Sequence, residues 1–212
     1  MSPGGMHGIV RALTVQQARE PTATEPSAGP CLLCEGKRRT STLSLAWTLG
    51  ETAVMSCSTC DEIEAIESGR RDWAIAKLAH GHVWLNPTQY YRGAIFYVAN
   101  QCVAELHELE PAARAGHLHE MAAAAAAMQR AVGAAKINYE ALGNSVPHLH
   151  WWLTPRHADD PRPRAPIWEN LDFLRLLWTG RARLDQVERD GLRAKIAEEL
   201  RREDVEIVES HC

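Results

Sequence analysis

Between Pro111 and Ala135 the chain carries its one long helix-forming run, dominated by Ala, Met, Leu, Gln and Arg and opened by a proline suited to a first helical turn. The alanines allow such a helix to lie close against a sheet. Short apolar runs with β-branched and aromatic residues flank it: HVWLN (82–86) and GAIFYVA (93–99) before, KINYEA (136–141) and HLHWWLTPR (148–156) after. Pro87 ends the first run, and the loop LGNSVP separates the last two. This order predicts an α+β domain, an antiparallel sheet with one long helix.

The chain has 212 residues, 45% of them hydrophobic and 24% charged, enough for one compact domain with attachments. A formal net charge of −4 argues against a general nucleic-acid or anionic-membrane binder, since neither charge attraction nor counterion release would favour the complex. No apolar stretch approaches the roughly 20 residues that span a bilayer. The opening MSPGGMHGIV lacks the pattern of a secretory signal, so a cytoplasmic, reducing setting is expected, with cysteines as thiols or metal ligands. Composition suggests a flexible lead-in over 1–28, a cysteine module over 29–70, the main core over 71–168 and a helical C-terminal extension over 169–212. In that extension Val187, Leu192, Ile196 and Leu200 fit an amphipathic helix.

The last predicted strand concentrates the chemistry. Alternation along a strand places His148, His150, Trp152 and Thr154 on one face and Leu149, Trp151 and Leu153 on the other. Two histidines on one pleated face can bind a metal, donate to a phosphate, or form a nucleophile with a polar neighbour.

The segment His148-Leu149-His150-Trp151-Trp152-Leu153 resembles the His-φ-His-φ-His-φ signature of the histidine triad superfamily. The likeness continues through Asn138 and Gly143-Asn144-Ser145-Val146-Pro147. It also takes in Tyr91-Arg92-Gly93, Val103-Ala104-Glu105-Leu106, Arg156, Asp159-Asp160-Pro161 and Pro166-Ile167-Trp168, which are similar to a bacterial branch related to diadenosine polyphosphate hydrolases. The resemblance implies a homodimer that takes a nucleoside phosphate or dinucleoside polyphosphate. It further implies a two-step nucleotidyl hydrolysis or transfer, with His150 attacking the α-phosphorus of an ester, anhydride or phosphoramidate. His148 would orient the site, and Asn138, Asn144 and Ser145 would donate hydrogen bonds to phosphoryl oxygens or the nucleoside. Arg156 is the arginine tied by sequence to this strand and is expected near a polyphosphate. The departure is Trp152, which stands where the third histidine serves the leaving group. An indole has one N–H donor and no titratable proton. Trp152 is therefore expected to line the substrate site and slow hydrolysis. That leaves transfer, non-catalytic nucleotide binding, or a pocket reused for another substrate in specialised metabolism as alternatives.

Cys31-Leu-Leu-Cys34 and Cys57-Ser-Thr-Cys60 form two CxxC pairs, a good pattern for a closed tetrahedral zinc site in a small zinc-ribbon-like module. Metal binding would supply most of that module's folding free energy. Relatives of the triad type suggest another set, Cys31, Cys34, Cys102 and His148, and reduced thiols without metal are the third option. His117 and His119, two apart on the predicted helix, do not share a face, so a joint metal site is not expected. His80 and His82 are expected to be surface or hydrogen-bonded groups, and Trp73, Trp84 and Trp151 to pack in the core.

Overall fold

The structure is a computed structural model and describes residues 57–179 and 182–212. The expected lead-in over 1–28 and the first CxxC pair, Cys31 and Cys34, lie outside the described residues. The elements in chain order are α1 (Ser58–Glu67), β1 (Ala74–Leu78), β2 (Gly81–Leu85), β3 (Ile95–Ala99), α2 (Pro111–Val132), β4 (Lys136–Glu140), β5 (His150–Arg156), α3 (Leu171–Thr179), α4 (Gln186–Leu200) and β6 (Ile207–Ser210). The fold is α+β, a six-stranded antiparallel sheet in the order β4-β5-β3-β2-β1-β6 with α2 as its long helix.

Helix α2 starts with Pro111 in its first turn and stops at Gly133, whose φ of 65° is the left-handed conformation that closes helices. Ala124, Ala127 and Met128 are fully buried against the sheet, and the small alanine side chains let the helix sit close. On that side Ile75, Leu78, Val83, Leu85, Ile95, Tyr97, Ile137 and Leu153 form the main core with α2. Helix α4 adds Leu192, Ile196, Ala197 and Leu200 to the same core, while Val187, expected on the same face, is 82% exposed. The chain then returns as β6 along β1. Arg193 on α4 ties this corner together, donating to the carbonyls of Ala74 (2.7 Å) and His211 (2.6 Å).

The opposite side of the sheet is covered in two patches. Over β1 to β3, helix α1 packs Ile63 and Ile66 on Ala74, Trp84, Phe96 and Val98. The described part of the expected cysteine module is thus this helix laid on the sheet. Toward the other end, Tyr91, Ala94, Ile167 and Phe173 form a second cluster with Trp152 and Trp168 around it. The strip between the two patches, on β5, holds His150. Among the described residues no helix is long and apolar enough to cross a membrane.

Candidate functional site

Register fixes which side chains share the strip. Val98 pairs with His150, Phe96 with Trp152, Glu140 with Trp152 and Asn138 with Thr154, so all of these project from one face. The Phe96 ring stands edge-on to both His150 (6.2 Å, 73°) and Trp152 (5.0 Å, 88°). Trp152 in turn lies 5.9 Å from Trp168. The aromatic wall beside His150 is therefore made by Phe96, Trp152 and Trp168.

The His150 ring is set by its own backbone: Nδ1 lies 2.7 Å from the His148 carbonyl oxygen. A carbonyl only accepts, so Nδ1 carries the hydrogen and Nε2 keeps its lone pair. His148 is held in the complementary sense. Its Nε2–H donates to the Ala99 carbonyl at 2.8 Å, which leaves the Nδ1 lone pair available. The two histidines consequently do different work. The imidazole of His148 is fully buried, and residues 148 and 149 precede the regular strand. Burial holds it below the ordinary histidine range, with the Ala99 hydrogen bond opposing, so it is neutral.

Around that free Nδ1 lie three sulfurs. Cys57 Sγ is 3.4 Å and Cys60 Sγ 3.7 Å from it, and the four donor atoms of Cys57, Cys60, Cys102 and His148 are all within 4.8 Å of one another. Zinc bonds of about 2.3 Å to sulfur and 2.0–2.1 Å to nitrogen give a tetrahedral nitrogen–sulfur edge of about 3.6 Å, which the two distances straddle. Three thiols and a neutral imidazole of fixed tautomer can hold a metal such as zinc. This set matches neither sequence-based arrangement: it joins the second CxxC pair to the Cys102 and His148 of the alternative. Spacing alone could not choose between the two CxxC pairs.

Arg156 is held within the fold. It is 4% exposed, and its guanidinium donates to Asp160 (2.6 Å), Asn138 Oδ1 (2.9 Å) and the carbonyls of Ala165 (2.8 Å) and Arg162 (2.7 Å). Four of its five N–H groups are committed, so it clamps the 157–166 loop to the sheet instead of facing a polyphosphate. By taking Asn138 Oδ1, it also orients that amide and leaves the NH2 group as a donor on the strip. Asn144 and Ser145 are exposed on the loop that leads into β5, turned by Gly143 at φ 67°.

Glu140 was not among the expected site residues. Its signal was present: two positions beyond Asn138 on a strand is the same face. Three further described histidines lie away from this strip. His117 Nε2 accepts from the Trp151 indole N–H at 3.0 Å inside the core, while His119 Nε2 bonds the Asp204 carbonyl at 2.7 Å on the outside, as their spacing requires. His82 is buried at 2% exposure, not on the surface, because β2 is covered on both sides.

Residues 89–159 match the family model for the HIT domain. Over that stretch the chain is similar to the HIT domain. A histidine triad protein of Sinorhizobium meliloti shares 27% identity over 64% of this chain and 93% of its own, with a TM-score of 0.51. One from Marinobacter aquaeolei gives 21% identity, 61% and 90% coverage and 0.50. A hypothetical histidine triad nucleotide-binding protein of Sulfolobus tokodaii gives 14%, 68% and 93%, and 0.52. The last two likenesses are of fold alone. No curated protein matches the chain. The matched stretch spans β3, α2, β4 and β5, and so contains His150, His148 and Cys102, whereas α1 with Cys57 and Cys60 lies outside it.

Proposed function

We propose that this HIT domain is a nucleotidyl hydrolase or transferase that acts on the α-phosphate of a nucleoside ester, anhydride or phosphoramidate through a covalent nucleotidyl-His150. The observation that carries the reading is the His150 tautomer: Nδ1–H bonded to the His148 carbonyl leaves the Nε2 lone pair for phosphorus. That bond also disperses the positive charge the ring acquires when Nε2 forms its bond to phosphorus. The Asn138 amide, together with Asn144 and Ser145, would donate to the phosphoryl oxygens as charge builds on them. Phe96 and Trp152 would form an apolar floor that keeps bulk water from the nucleophile.

Zinc at Cys57, Cys60, Cys102 and His148 belongs to the same reading. A closed set of four protein donors supplies structure, not a reaction step. It would hold the main chain at His148, whose carbonyl in turn sets the His150 ring. A homodimer and a cytoplasmic setting complete the proposal.

A second reading, nucleotide binding without turnover, is favoured by Trp152 in place of a titratable third histidine. One experiment separates the two. Rapid mixing with adenosine 5′-(4-nitrophenyl phosphate), followed by intact-mass measurement, should show an adduct of one nucleotidyl group on the parent and none on His150→Asn. Saturable binding with no adduct at any time would leave only the binding reading.

A further inference from the structure

We infer that Glu140 is the catalytic acid and base of this site, performing the proton transfers that an indole at position 152 cannot. The inference rests on His150 as nucleophile. Glu140 ends β4 directly opposite Trp152, on the face that carries His150. The pair is diagonal across two strands, with about 7–8 Å between residues, so a group bound between them is within reach of a glutamate side chain. Trp168 confirms the orientation from outside the sheet. Its indole N–H donates to Glu140 Oε1 at 2.9 Å while its ring lies against Trp152, so Glu140 and Trp152 share one wall of the site.

The second carboxyl oxygen decides the matter. Glu140 Oε2 is enclosed and has no hydrogen-bond partner among the described residues. An ionised oxygen so placed would lose its solvation without compensation, whereas a protonated one is a donor that lacks only an acceptor. Burial pushes the Glu140 carboxyl above its usual range, while the Trp168 N–H and the Arg156 charge pull it back. A turn of the carboxyl out of this enclosure would bring that donor to a leaving oxygen or nitrogen held against Trp152.

In the first step the His150 Nε2 lone pair forms the N–P bond and the bond from phosphorus to the leaving group breaks. The leaving group takes its electron pair together with the Oε2 proton, and Glu140 becomes a carboxylate steadied by Trp168 and Arg156. In the second step a water oxygen bonds to phosphorus, its proton returns to Glu140, and the N–P electron pair returns to Nε2. The cycle ends with nucleoside monophosphate, free leaving group and the starting protonation states.

Glu140→Gln tests this on two probes, the 4-nitrophenyl ester of adenosine 5′-phosphate, whose leaving group needs no proton, and an adenosine 5′-N-alkyl phosphoramidate, whose leaving group does. Adduct formation from the ester should stay within a few-fold of the parent. Adduct formation from the phosphoramidate should fall by about 10²–10⁴. Glutamine keeps the acceptor for Trp168, and Glu140→Asp, with the acid set back by one methylene, should recover part of the phosphoramidate rate. Equal losses on both probes, or no loss on either, would overturn the role of Glu140 while leaving the His150 adduct standing. A parent that forms no adduct from either probe would overturn both.

Discussion

At position 152 an indole changes what the neighbouring residues must do. It contributes contacts to Phe96 and Trp168 but no titratable proton, so proton transfer has to come from another side chain on the strip. Arg156, next on that face beyond Thr154, has the opposite character: it is charged, yet wholly engaged in holding the chain. Its side chain and that of Asp160 are 5% and 2% exposed. Removing one member of such a pair strands the other as an uncompensated buried charge, commonly at about 3–5 kcal/mol. Arg156→Met should lower unfolding free energy by that order in urea titration, and Arg156→Lys, which keeps the charge but not the fork, by less. A variant of unchanged stability but tenfold weaker nucleotide binding would restore the polyphosphate contact expected from sequence.

Helix α1 shows what the thiol and imidazole cluster does at the scale of an element. Its ten residues bury little more than Ala65 and Ile66, a small apolar contact for a segment of that length. Cys57 at its N-terminal boundary and Cys60 in its first turn reach Cys102 beyond β3 and His148 before β5, so one ion would fasten the helix to two strand ends. Elemental analysis should find about one zinc per chain, lost in Cys60→Ser and in Cys102→Ser and retained when Cys31 and Cys34 are both changed to serine. Loss of α1 protection in amide exchange should accompany the loss of metal. Zinc retained in Cys102→Ser but lost with Cys31 and Cys34 would return the site to four cysteines from two CxxC pairs.

Across the whole molecule, the far side of the sheet encloses a polar network within an otherwise apolar core. The Trp151 indole donates to His117, His117 stacks on Tyr97 at 4.7 Å, and Tyr97 donates to Glu120, which also accepts the His80 backbone N–H. Burial pushes His117 and, on the other face, His82 down to about 4, whereas an unfolded histidine titrates near 6.5. The unfolded chain therefore binds protons that the folded one refuses. Stability present above about pH 6.5 is lost as pH falls toward 4, by about 2 kcal/mol at pH 5 for each group. Glu120, raised by burial, acts in the opposite sense and softens the total. Thermal melts at pH 7 and pH 5 should show the loss, and His117→Gln, whose amide still accepts from Trp151, should narrow the gap between them. An unchanged gap would mean that His117 is not the group titrating.

The sequence by itself determined the long helix, the four strands β2 to β5, and the face on which His150 and Trp152 stand. Each of these depends on neighbours a few residues apart, where pleat, helical spacing and turn chemistry act directly. Strands β1 and β6 were not legible. AIAKL and IVES are short and weakly patterned, and they become strands only because β2 and then β1 offer an edge to pair with. Tertiary structure alone decided that Cys57 and Cys60 meet Cys102 and His148, the last of these 91 and 88 positions along the chain from the two cysteines. It likewise decided that Arg156 is spent on its own loop and that Glu140 is left with an unpartnered oxygen beside Trp152. Which donors and acceptors are satisfied depends on groups brought together from distant parts of the chain, and no local pattern carries that information.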